Sequence, residues 1–152
     1  MAPRPSQQQG VVLLEALIGI LIFSLGVLAL VAMQAVSISN VSNARYRSEA
    51  AFLANEIVGQ AWVDRGVAYA NLPNYVVTAG ASGYAPVQGW VNKVYAQLPG
   101  STANPPNITV AAVAGGVTGR QVTVVIRWQA PDAIAPSNHT AVAFISDADD
   151  PP

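Results

Sequence analysis

Cysteine is absent from the 152 residues, which excludes a disulfide scaffold, a thiolate metal site and a cysteine nucleophile. Histidine is nearly absent: His139 stands alone, too little for a histidine-based metal site or relay. Charge is scarce as well. Charged residues make up 10% of the chain, against roughly 25% in an ordinary soluble domain. Seven Lys or Arg balance eight Asp or Glu, so the clustered basic surface of a nucleic-acid binder is excluded. At 52% hydrophobic the chain is not a disordered tail either. No proline occurs between Pro5 and Pro73, so a helix there meets no obligatory break.

The charge that is present is unevenly spread. Residues 1–44 hold only Arg4 and Glu15; the other thirteen charges fall in the remaining 108 residues. Residues 11–33 form an apolar run of 23, broken only by Glu15. As a helix rising about 1.5 Å per residue it spans roughly 35 Å, enough for a hydrocarbon core of about 30 Å. It exceeds the roughly 7–15-residue core of a cleaved secretory signal, and no Ala-x-Ala-like site follows. The run therefore predicts a signal anchor that stays in the membrane. Arg4 and the initiator amine precede it, and Arg45 and Arg47 follow well beyond its end. A short N-terminus kept inside, with the C-terminal part translocated, is the simpler topology.

Beyond a polar stretch at residues 37–43, Tyr46, Ala50, Leu53, Ile57 and Ala61 recur every three or four positions, one apolar stripe. Arg45, Glu49, Glu56 and Asp64 lie outside it, and Arg45 and Glu49 have the spacing of an i,i+4 pair. Arg65-Gly66 reads as the stop. One helix over residues 11–63 follows, roughly 80 Å long. Its first half is apolar on every face and its second half is amphipathic. Residues 67–87, rich in Gly, Ala, Ser, Pro and Tyr, read as an irregular connection with at most short strands. Residues 88–98 read as a short amphipathic helix closed by Pro99-Gly100. Strands are predicted at 107–114, 121–129 and 139–146, with a hairpin turn at Gly115–Gly119. In the middle strand Val122, Val124, Ile126 and Trp128 share a face. The expected class is α+β: a long N-terminal helix whose second half is covered by a small antiparallel sheet. The segments are a leader at 1–10, a transmembrane helix at 11–36, its amphipathic continuation at 37–65 and a globular region at 66–152.

Little here supports catalysis. His139 sits on a strand edge, where a surface role is expected. Asp147, Asp149 and Asp150 beside two prolines read as a solvated acidic end rather than a calcium site. Gly115-Gly116 has no following helix and so lacks the setting of a phosphate loop. Three Asn-x-Ser/Thr triplets, at Asn40, Asn107 and Asn138, are too short a pattern to mean glycosylation. No enzyme, metal or cofactor is expected. Glu15 is the residue that asks for an explanation, since a carboxylate inside an apolar segment costs a few kcal/mol at the bilayer centre. Near an interface it can snorkel. Alternatively it meets a positive group on another subunit. A cut just before Val11 would supply one, and Glu15 would then be the fifth mature residue, on the second helical turn.

The run Gln7-Gln8-Gln9-Gly10 followed by Val11-Val12-Leu13-Leu14-Glu15 resembles the class III signal of type IV prepilins. That signal has a short polar leader with a basic residue, Gly before the cut, an apolar helix, and Glu at the fifth mature position. Val11 replaces the methylated Phe usual in that family. The proline common midway along the apolar half of major pilins and their C-terminal cysteine pair are both absent here. The rest is similar to minor pilins of the PilV type, including the stretch Arg47-x-Glu49-Ala-Ala-Phe-Leu-Ala-Asn-Glu56, Leu98-Pro99-Gly100 and the strand 122–128. The resemblance implies cleavage at Gly10–Val11 by prepilin peptidase and N-methylation of Val11. It also implies docking through Glu15 to the N-terminus of a neighbour. Gly19 and Gly26, seven apart, offer close helix approach on one face. The implied partners are other minor and major pilins, the inner-membrane assembly platform and membrane lipid. The implied location is the bacterial inner membrane, single-pass with a periplasmic domain, and then the pilus. Two alternatives share parts of this chemistry: a minor pseudopilin of type II secretion, and an anchored periplasmic binding domain that never polymerises.

Overall fold

A computed structural model describes residues 9–113 and 119–146. Helix α1 spans Gln9–Val63, and two short 3-10 turns follow at Val67–Tyr69 and Leu72–Tyr75. Helix α2 is Ala85–Gln97, and the strands are β1 Asn107–Ala112, β2 Arg120–Trp128 and β3 Ser137–Ile145. The chain divides into two compact units, Met1–Val41 and Ser42–Pro152, and α1 contributes to both. The first unit consists of helix alone among its described residues.

The second unit is the α+β arrangement expected: helix packed against a three-stranded antiparallel sheet in the order β1-β2-β3. Ala50, Leu53, Ile57 and Ala61, four of the five stripe positions, are buried, with Tyr46 packed at the margin. Alternation on β2 sends Val122, Val124, Ile126 and Trp128 inward as the pattern predicts. Val124 sits between Ile108 of β1 and Ala141 of β3. Trp90 of α2 fills the space beside α1 and donates its indole N–H to the Leu53 carbonyl at 2.9 Å. A buried indole needs such an acceptor.

Several local expectations are corrected. Helix α2 begins at Ala85, three residues before Gln88, because Pro86 occupies the first helical turn. Proline suits that position, where no N–H is required, so the helix opens inside the stretch that composition assigned to an irregular connection. Residues 67–87 carry the two 3-10 turns and an antiparallel bridge from Val77 to Ile108, whose two backbone hydrogen bonds measure 3.1 Å. Arg45 and Glu49 do not form their i,i+4 pair. Glu56 instead meets Lys93 of α2 at 2.7 Å, because packing brings α2 alongside that face. His139 lies opposite Ile126 and is half-buried rather than a plain surface residue. Most of the Gly115–Gly119 turn, residues 1–8 of the leader, and Asp147, Asp149 and Asp150 lie outside the described residues.

Candidate functional site

Two places carry the polar chemistry of this molecule. The first is the apolar part of α1. Between Val11 and Val36 the polar side chains are Glu15, Ser24 and Gln34, and every residue of that stretch is solvent-exposed. Leu13 and Phe23 are each 72% exposed. Burying one such side chain is worth about 1.5–3 kcal/mol, so this surface left in water would be disfavoured by tens of kcal/mol. The helix is long and apolar enough to cross a membrane. Ser24 turns its hydroxyl back to the Ile20 carbonyl at 2.7 Å and so needs no outside partner.

Glu15 has no such internal solution: among the described residues no cation pairs with it. At about 100° per residue, Gly19 and Gly26 fall within about 40° of Glu15 around the helix. The carboxylate and both glycines therefore share one face. A Cβ added at Gly19 or Gly26 would meet nothing within 4 Å, so the space above both glycines is open among the described residues. Gly10 and Val11 lie in the first turn of α1, which begins at Gln9.

The second place is Asp64, just past the end of α1. Its Oδ2 accepts hydrogen bonds from Tyr84 Oη at 2.6 Å and Tyr75 Oη at 3.1 Å, and its Oδ1 accepts from Asn71 Nδ2 at 3.2 Å. The Tyr84 hydroxyl bond holds the Asp64 carboxyl below its ordinary pKa, with Tyr75 and Asn71 adding to it against desolvation. Burial, reinforced by the Asp64 carboxylate, pushes the Tyr75 hydroxyl well up. The bond to Asp64 raises Tyr84. One carboxylate thus ties the end of α1 to the second 3-10 turn and to the residue before α2. Sequence reasoning placed Asp64 only outside the apolar stripe. A signal was nonetheless present: an acidic residue at a helix C-terminus opposes the helix dipole and needs donors, and Tyr69, Tyr75 and Tyr84 follow within twenty residues.

Among the described residues no group of three or more His, Asp or Glu side chains is placed to hold a metal ion. The structure brings Gly10, Val11, Glu15, Gly19 and Gly26 onto one exposed helix segment, and Asp64 belongs to the other unit. Comparison with protein-family models, with curated proteins and with solved structures found no match for this chain.

Proposed function

We propose that this chain is a minor pilin of the type IV pilus, of the PilV type, rather than an enzyme. It is made as a single-pass inner-membrane precursor with its αβ unit in the periplasm. Prepilin peptidase cuts between Gly10 and Val11 and methylates the new Val11 amine. The apolar part of α1 then leaves lipid to pack among the corresponding helices of other minor and major pilins, helping to prime the filament or occupy its tip. The observation that carries this reading is the exposed apolar surface of residues 11–36, with its single carboxylate at the fifth position after Gly10.

The mechanism follows from the dielectric. In an apolar surrounding an unpaired carboxylate is costly, and the mature N-terminal amine of a neighbour displaced along the helix axis neutralises Glu15. Out-of-register subunits leave both charges unpaired, so the pairing selects register more than it adds affinity. Repeating one head-to-tail contact that does not close gives an open helical filament. Gly19 and Gly26, on the same face as Glu15, let the neighbouring helix approach closely there.

The test is the mass of the mature protein. Intact-mass spectrometry of chain isolated from membranes and from sheared pili should show a polypeptide beginning at Val11 and one methyl group heavier. Gly10→Val should leave the precursor uncut. Glu15→Ala should insert and be cleaved normally yet be depleted from sheared pili. An unprocessed N-terminus in the wild-type chain would sink the proposal in favour of a plain membrane-anchored domain.

A further inference from the structure

Beside the Asp64 cluster lies an open groove of about 550 Å³ lined by Gly59, Gln60, Val63, Asp64, Tyr75 and Pro86. Its walls are mostly apolar, and Gln60 and Asp64 are its polar lining residues. Gln60 Oε1 is buried and has no hydrogen-bond partner. A buried acceptor left unpaired costs about 1–3 kcal/mol. Asp64 accepts three hydrogen bonds, all from neutral donors, and a carboxylate has about four acceptor positions. Its negative charge is therefore not matched by a cation, and one position on Oδ1 remains.

The neighbouring cations are committed elsewhere. Arg65 donates to the Trp62 carbonyl at 2.8 Å, and its guanidinium lies 5.5 Å from the Trp62 ring centroid. Lys93 is paired with Glu56, and Arg120 stacks over Tyr69. One apolar lining residue is uncovered: Val63 is 89% exposed.

We propose that this groove receives an arginine side chain presented by a protein partner. A guanidinium supplies the donors that Asp64 and Gln60 lack, in a planar fork suited to a carboxylate. The three methylenes of its stem match the apolar walls of Val63, Pro86 and the Tyr75 ring. An unmatched carboxylate set among mostly apolar walls, with Val63 exposed beside it, suits a cation carried on an apolar stem from a protein surface better than a free small cation. Rotation of the Gln60 amide turns Oε1 toward the bound donor. The site lies wholly in the second unit, so it goes beyond the filament reading and is measured on unassembled protein.

Full-length, isotope-labelled chain in detergent micelles would be titrated with N-acetyl-arginine amide and with its neutral isostere N-acetyl-citrulline amide. Arginine amide should produce saturable shifts at the Gln60 side-chain amide and at Tyr84. Citrulline amide should bind about tenfold more weakly or worse, the loss expected of a charge-assisted hydrogen bond. Gly59→Leu, at a position where a Cβ meets open space, should fill the groove and abolish the arginine response while leaving the spectrum dispersed. Asp64→Asn should weaken arginine binding and spare what little citrulline binding exists. Absence of a saturable response to arginine, equal affinity for the two amides, or a response untouched by Gly59→Leu would each overturn the proposal.

Discussion

Leu53 and Leu21 belong to the same helix, yet Leu53 is fully buried and Leu21 is 55% exposed. The same amino acid serves two solvents. In the second half of α1, apolar residues occupy one stripe and are covered by α2 and the sheet of the same chain. In the first half they occupy every face, and none of the described residues covers them. A helix apolar all round must find lipid or other helices, whereas an amphipathic one completes its own core. Stability of the αβ unit and the demand for an apolar surrounding are therefore encoded in separate halves of one element.

Core truncation breaks this comparison most directly. Leu53→Ala should destabilise the αβ unit by about 2–5 kcal/mol, while Leu21→Ala should change its stability by less than about 0.5 kcal/mol; denaturant unfolding of both in micelles measures the contrast. Comparable losses would mean that the halves are not energetically separate. Gly80→Val is expected to be nearly as severe. Gly80 has φ 73°, and a Cβ there would run into the Tyr95 hydroxyl, so the lesion should appear as a lowered unfolding midpoint.

A smaller effect should come from the Asp64 cluster. Tyr75→Phe should cost about 1 kcal/mol, the usual net value of one hydrogen bond. The pH dependence is sharper than the magnitude. Asp64 is lowered by its hydrogen bonds, so its contribution is present above the ordinary carboxyl pKa of about 3.9 and is lost as the pH falls through the depressed value. Tyr75 and Tyr84 are raised, so their contribution is full below about pH 10 and lost as the pH rises through their folded values. Asp64→Asn should flatten both limbs in melts of the αβ unit. Unchanged pH profiles would show that the carboxylate does not organise this cluster.

The surface pair should matter least among the losses. Glu56→Gln removes a partly exposed ion pair and should cost under about 1 kcal/mol, less at high salt. One change should stabilise. The turn at Thr78–Ala81 places two central residues, Ala79 and Gly80, at positive φ, and Thr78 and Ala81 exchange both backbone hydrogen bonds. Alanine is strained there, so Ala79→Gly should gain about 0.5–1 kcal/mol.

What could be read ahead of the structure was what depends on periodicity. The stripe from Ala50 to Ala61 and the alternation of β2 emerged as written, since spacing alone decides which face is buried. The apolar run was equally plain. The stretch from 67 to 87 was not, because its order comes from hydrogen bonds between residues far apart: Tyr84 to Asp64, and Val77 to Ile108. No local pattern encodes a partner twenty or thirty positions away. The start of α2 was placed three residues late for a different reason: proline is common both in irregular connections and in a first helical turn. Lys93 and Glu56, thirty-seven positions apart, could be paired only once α2 had been laid against α1. The groove beside Gln60 belongs to the same class, as its walls come from α1, the second 3-10 turn and α2.

The indole of Trp90 is fastened to the Leu53 carbonyl midway along the buried stripe, and the stripe shares one core with Val122, Val124 and Ile126 of the sheet. Within the αβ unit, any load on this part of α1 is passed on through Ala50, Leu53, Ile57 and Ala61, all in one core. The mechanical link between the second half of α1 and the rest of the αβ unit is thus an ordinary hydrophobic core with one indole hydrogen bond set into it.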